Sequence, residues 1–221
     1  MTDHGPNGVA NQTQRLLLEI KMNWFGPGVK LEKNMKTLET TVTYLEMFER
    51  PETHAQRPSN INAALLVTKD MPLHFYRYLY FNVGIHWSWE TRLRLKDEEL
   101  AEAIHNPNVE ITVLYLDGAP AGFYEVNRTA TDTNDLAYFG MMPHGAGKGL
   151  GRWFLSNAID ACWAGNPSRV TVNTCTLDHP AALPLYQKLG FKPYRQSKGH
   201  ARPLSGSECA NLAAHSGITS D

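Results

Sequence analysis

The sequence predicts an α/β (α+β) domain in which a mixed, mostly antiparallel sheet is flanked by helices. Two observations predict it. Three alternating apolar runs between residues 110 and 142 follow one another through short turns, the pattern of an antiparallel meander. A Gly-rich turn then leads through one amphipathic helix into a further alternating run, which implies a parallel crossover. The 221 residues fit one medium domain with tails, because a single core of that size needs no partition.

The elements follow in order. Residues 1–34 are polar and Gly-rich, with only Leu16-Leu17-Leu18 and the breaker run Phe25-Gly26-Pro27-Gly28, and are expected to be a weakly attached extension, with Met35 as an alternative start. Residues 40–47 set Val42 and Tyr44 against threonines as a strand, and residues 63–68 form a second extended run. Leu73, Tyr76, Tyr80 and Phe81 recur at helical spacing over 71–81, and Gly84 is placed to end that helix. Asp97 is expected to cap the next helix, which carries Leu100 and Ile104 on one face and ends before Asn106-Pro107.

Residues 110–116 and 122–129 are strands joined by Asp117-Gly118-Ala119-Pro120, whose Asp-Gly pair tolerates positive φ, and 136–142 is a third. A helix over 150–164 buries Leu155, Ala158, Ile159 and Cys162. After Gly165-Asn166-Pro167 comes a strand over 169–176, then a helix over 180–189 that stops at Gly190. Residues 202–221, rich in Ser, Ala and Gly, make a flexible tail, so the folded domain is 35–201.

The charge balance excludes several functions. A formal net charge of -1, with no Lys/Arg run, offers no field to nucleic acid or to an anionic membrane. No stretch approaches the roughly 20 apolar residues of a membrane span, so a cytoplasmic protein without membrane partner is expected. Cys162, Cys175 and Cys209 are odd in number and unrelated in spacing, as free thiols in a reducing compartment are. His86, His144 and His179 lack metal-ligand spacing, and no metal is expected.

The segment Ala146-Gly147-Lys148-Gly149-Leu150-Gly151-Arg152 lies between a strand and a helix, where backbone amides can converge on an anion. Such a turn can also be only a turn. A triphosphate-binding loop would need Gly at Met142 and Ser or Thr at Gly149, and a dinucleotide fingerprint would need Gly at Leu150 or Arg152. Both fail.

The run from Tyr138 to Leu155 resembles the coenzyme A pyrophosphate motif of the GNAT superfamily of N-acetyltransferases, with Ala146 where Gln or Arg is usual. A second stretch, His179-Pro180-Ala181-Ala182-Leu183-Pro184-Leu185-Tyr186-Gln187-Lys188-Leu189-Gly190-Phe191, resembles the late helix of that family, with His179 in place of Asn. The likeness implies a splayed parallel strand pair and acetyl-coenzyme A as cosubstrate, held by Met141, Ala146, Gly147, Lys148, Gly149, Leu150, Gly151, Arg152 and His179. Gly140 suits the bulge that starts the splay, or packs closely against a neighbour.

It also implies direct attack of an acceptor amine on the thioester, with Tyr186 as general acid. Glu125, which interrupts Phe123-Tyr124-Val126, or Asp135, or a water chain, would be the base. His86 and Trp87 would line the acceptor pocket, while Trp89 closes the core. The partners implied are a small-molecule or peptide amine, with a homodimer left open. A coenzyme-binding sensor that has lost catalysis is the competing reading, kept open by Ala146 and His179.

Overall fold

The structure, a computed structural model, describes residues 37–205 and Glu208. The extension 1–34, Met35, Cys209 and most of the stretch 202–221 lie outside the described residues. Seven strands form one sheet: β1 (Leu38–Met47), β2 (Ala63–Thr68), β3 (Val109–Leu116), β4 (Ala119–Ala130), β5 (Thr133–Met141), β6 (Arg169–Cys175) and β7 (Lys192–Ala201). Four helices flank it: α1 (Leu73–Gly84), α2 (Asp97–Ile104), α3 (Gly151–Cys162) and α4 (Ala182–Lys188). The strand order is β2-β3-β4-β5-β6-β1-β7, antiparallel throughout except for the parallel pair β5/β6.

Two cores lie on opposite faces of this sheet. Leu45, Tyr124, Val126, Leu136, Val170 and Val172 pack with Phe154, Leu155, Ala158 and Ile159 of α3 and with Tyr186 of α4. Ile111, Val113 and Phe123 pack with Tyr76, Leu79, Tyr80 and Val83 of α1 and Leu100 and Ile104 of α2. The helical apolar stripes read from the sequence are therefore the ones that cover the strands. Cys162 is buried and Cys175 half-buried, and both are free thiols. Among the described residues, no helix is long and apolar enough to cross a membrane.

Two details lie beyond the sequence reading and two depart from it. β7 is a strand with no apolar alternation; it is one edge of the sheet, and its Lys192, Tyr194, Arg195, Lys198 and His200 are exposed. An edge of this composition resists pairing with other chains. The first strand does not sit beside the second; it is inserted between β6 and β7. The cap of α2 is Lys96, whose amide is accepted by Glu99 at 2.9 Å, while Asp97 lies in the first turn and pairs with Arg77. The bulge is not at Gly140. Glu125 pairs with Tyr138 and Val126 with Leu136, so Ala137 is the extra residue.

Gly140 has the second role the sequence allowed, that of a packing glycine. A Cβ placed there would lie 2.3 Å from Val83 Cγ1 and 3.5 Å from Trp89 Cη2. Gly140→Ala is thus expected to overpack the α1 face and cost about 1–3 kcal/mol, read as a lower thermal midpoint. An unchanged midpoint would mean that α1 yields freely.

Candidate active site

The bulge positions the site. Main-chain pairing of β5 with β6 runs only from Thr133 opposite Arg169 to Leu136 opposite Val172. β5 then continues to Met141 and β6 to Cys175, unpaired with each other. Since a bulge bends its strand and raises the local twist, the extra residue Ala137, directly after the last paired residue, turns β5 away from β6. The result is a wedge between the two strands, where backbone groups of 137–141 on the β6 side can meet a ligand. The bulge also reverses the alternation: Leu136 belongs to the α3 core, whereas Tyr138 packs against the α1 core.

The end of β5 leads into the Gly-rich turn. Gly145 and Ala146 donate their amides back to Met142, and the first helical bond of α3 is from Phe154 to Leu150. Between them, the amides of residues 147–152 have no acceptor among the described residues. Gly147 and Gly149 stand at φ +74° and +77°, with nothing within 4 Å of a built Cβ, so glycine is needed there for backbone conformation. Ala146, Gly147, Lys148, Gly149 and Arg152 are exposed, Leu150 is buried and Gly151 half-buried. Unpaired amides, the N-terminus of a twelve-residue helix and two cations make an anion cradle. Met141 lies next to it, its side chain on the α3 core.

Tyr186 is buried on the same face, its ring 6.4 Å from Phe139 of β5 and 6.0 Å from Phe191. Its hydroxyl makes no hydrogen bond among the described residues. Burial first, then the charges of Asp178 beyond β6 and Asp135 on β5, raise its pKa well above the ordinary value of 10.0. His179 is exposed; its Nδ1 accepts the Ala181 amide at 3.0 Å, which fixes the entry into α4.

The two carboxylates expected as base have different surroundings. Glu125 is fully buried under α1; Oε1 accepts from Arg92 at 2.7 Å and Oε2 from the Tyr76 hydroxyl at 2.6 Å. Burial lowers the Arg92 pKa most, but Glu125 together with Tyr76, Tyr138 and Tyr80 more than offsets it and holds the guanidinium well above its ordinary value. Burial and the same carboxylate push the Tyr76 hydroxyl well up. This is the arrangement of a buried ion pair, with both oxygens engaged. Asp135 lies opposite Thr171, whose hydroxyl donates to it at 2.7 Å, within the paired part of β5/β6 and before the wedge opens.

The loop between α1 and α2 meets the segment that follows β6. His86 is exposed, and Trp87 meets the His179 ring at 4.9 Å, so the expected acceptor and cofactor residues touch. Trp89 packs against Tyr80, Phe123 and Tyr138 and is seated on Gly84, where a Cβ would fall 2.2 Å from it. Its indole Nε1 donates to Asp178 at 3.0 Å. Asp178 and Arg92, which organise this face, were not singled out from the sequence. The only signal for Asp178 was its place directly before His179. Among the described residues there is no His/Cys/Asp/Glu group that could hold a metal.

A family model described as an acetyltransferase (GNAT) domain matches residues 89–201, just over half of the chain. Solved structures with a similar fold include a GCN5-related N-acetyltransferase from Sphaerobacter thermophilus, at 14% identity and TM-score 0.52 over 86% of this chain and 57% of that one. Another is a putative acetyltransferase of the GNAT family from Novosphingobium aromaticivorans, at 13% identity and TM-score 0.51 over 80% and 71%. The chain spans 55–64% of the length of several of the solved proteins it matches. No curated protein sequence is significantly similar to it.

Proposed function

The chain belongs to the GNAT acetyltransferase family, and from that premise we propose that it is an acetyl-coenzyme A-dependent N-acetyltransferase acting on an amine acceptor. The observations that carry this reading are a wedge between β5 and β6, an amide cradle that follows β5, and a buried tyrosine whose ring lies near Phe139 of β5. The cradle fits a coenzyme A pyrophosphate: the amides of 147–152 lack partners among the described residues, the space beside Gly147 and Gly149 is open, and Lys148 and Arg152 supply positive charge.

When bound, the coenzyme supplies an acetyl thioester whose carbonyl carbon an amine can attack. Backbone groups of 137–141 facing the wedge, those of Met141 included, hold the arm, and an amide near Gly140 or Met141 stabilises charge on the carbonyl oxygen. Tyr186 gives its proton to the departing sulfur; its raised pKa keeps it protonated at neutral pH. His86 and Trp87 line the acceptor side, and His179 bridges Trp87 and the start of α4. For the base, Glu125, Asp135 and bound water all remain as proposals; Glu125 is also the ion-pair partner of Arg92.

The test is acetyl-coenzyme A binding by calorimetry, followed by thioester consumption over polyamines, amino acids, aminoglycosides and peptides. Binding with turnover of at least one amine supports the proposal, whereas binding without turnover identifies a coenzyme sensor. Gly149→Ala must hold a Cβ at positive φ, at a cost of about 1–2 kcal/mol, so coenzyme affinity is expected to fall roughly tenfold. An unaltered Kd would show that the cradle is only a turn.

A further inference from the structure

The carboxylate of Asp178 carries a charge that nothing in the described structure balances. It is half-buried at the end of β6, where the wedge opens. Oδ1 accepts the Trp89 indole N–H at 3.0 Å; Oδ2 accepts the Thr174 hydroxyl and the Cys175 amide, each at 2.8 Å. All three donors are neutral, and no Lys, Arg or His among the described residues pairs with it. Glu125, which is fully buried, has Arg92 as counter-charge. A half-buried carboxylate held by three neutral donors and no cation is open to an incoming positive charge.

We propose that Asp178 is the ammonium-binding carboxylate of the acceptor site, and that Trp89 occupies it until an alkylammonium group arrives. The proposal rests on the transferase reading for the identity of the cation, but its geometry is independent. The Thr174 and Cys175 donors belong to β6 and its end, and keep the carboxylate in place. The Trp89 donor comes from the α1–α2 loop and not from β6 or its end, and is the one that the proposal exchanges. An ammonium brings three donors and a full charge, and charge-assisted hydrogen bonds are about twice as strong as neutral ones. Exchange of the indole for the ammonium is therefore favourable. The incoming group arrives beside Tyr186, whose hydroxyl feels the same carboxylate, and beside the half-exposed ring of Trp87.

The experiment titrates the full chain, saturated with coenzyme A at neutral pH, with n-butylammonium, and uses n-butanol as the uncharged control, with ligand-observed NMR as readout. Asp178→Asn keeps the shape and removes the charge, and is expected to weaken n-butylammonium about tenfold or more. Trp89→Phe keeps a ring and removes the competing donor, and is expected to tighten it. Butanol should respond to neither. A purely structural role would weaken binding in both variants, so opposite signs support the proposal. No binding to the wild-type chain, an indifferent Asp178→Asn, or loss in both variants overturns it. If the opposite signs are seen but no amine consumes thioester, the site stands and the transferase reading fails.

Discussion

Replacing Tyr186 by phenylalanine is expected to lower kcat by about 10²–10⁴-fold, the usual contribution of a positioned general acid, while leaving coenzyme affinity almost unchanged. The separation follows from where the groups sit. The cradle amides belong to residues 147–152 at the start of α3, whereas Tyr186 is on α4 and packs near Phe139 of β5. Phenylalanine keeps the ring contacts with Phe139 and Phe191, and the hydroxyl it removes has no hydrogen-bond partner among the described residues, so stability should barely change. Burial and the charges of Asp178 and Asp135 raise the tyrosine pKa. The acid is therefore retained as pH rises through about 10, where an ordinary tyrosine ionises. The pH profile of wild-type kcat under saturating coenzyme should show no tyrosine-dependent loss below that point. Unaltered turnover in the phenylalanine variant would remove Tyr186 from the chemistry.

Most of the fold was legible because most elements bury one face, and burial leaves a period in the sequence. The α3 stripe of Leu155, Ala158, Ile159 and Cys162 and the alternating strand over 169–175 are such cases. β7 left no such mark, since an exposed edge has no apolar side to alternate. Nor does local pattern say which strand lies beside which: Val42 and Tyr44 announce a strand, but their partners Cys175 and Asn173 on β6 and Ser197 and Arg195 on β7 are far along the chain. The cradle was visible because positive φ at Gly147 and Gly149 demands a residue type that can be read as a letter. The environment of Glu125 was half visible. Its interruption of an apolar run marked it as unusual, but whether a buried carboxylate is a base or an ion-pair partner depends on Arg92, thirty-three residues away. Asp178 depends in the same way on Trp89, eighty-nine residues upstream.

That dependence makes Glu125→Gln the most destabilising of the isosteric changes considered. The carboxylate is 0% exposed and accepts from Arg92 and Tyr76. The amide can still accept from one of them, but it cannot neutralise the guanidinium, whose Nε is already buried without a partner among the described residues. Removing one member of a buried pair leaves the other charge uncompensated, at a cost of roughly 3–5 kcal/mol. For a domain of this size about 1 kcal/mol shifts the midpoint by roughly 2–4 °C, so a fall on the order of 10 °C is expected in a thermal melt. The double change Glu125→Gln with Arg92→Met, which also removes the orphaned charge, should recover a large part of that loss. A base in direct contact with substrate would behave differently: Glu125→Gln would leave the melt almost unchanged and abolish the acidic limb of the pH-rate profile, and Arg92→Met would rescue nothing. Comparing the two melts with the two profiles decides whether this buried carboxylate acts on the acceptor or builds the loop that receives it.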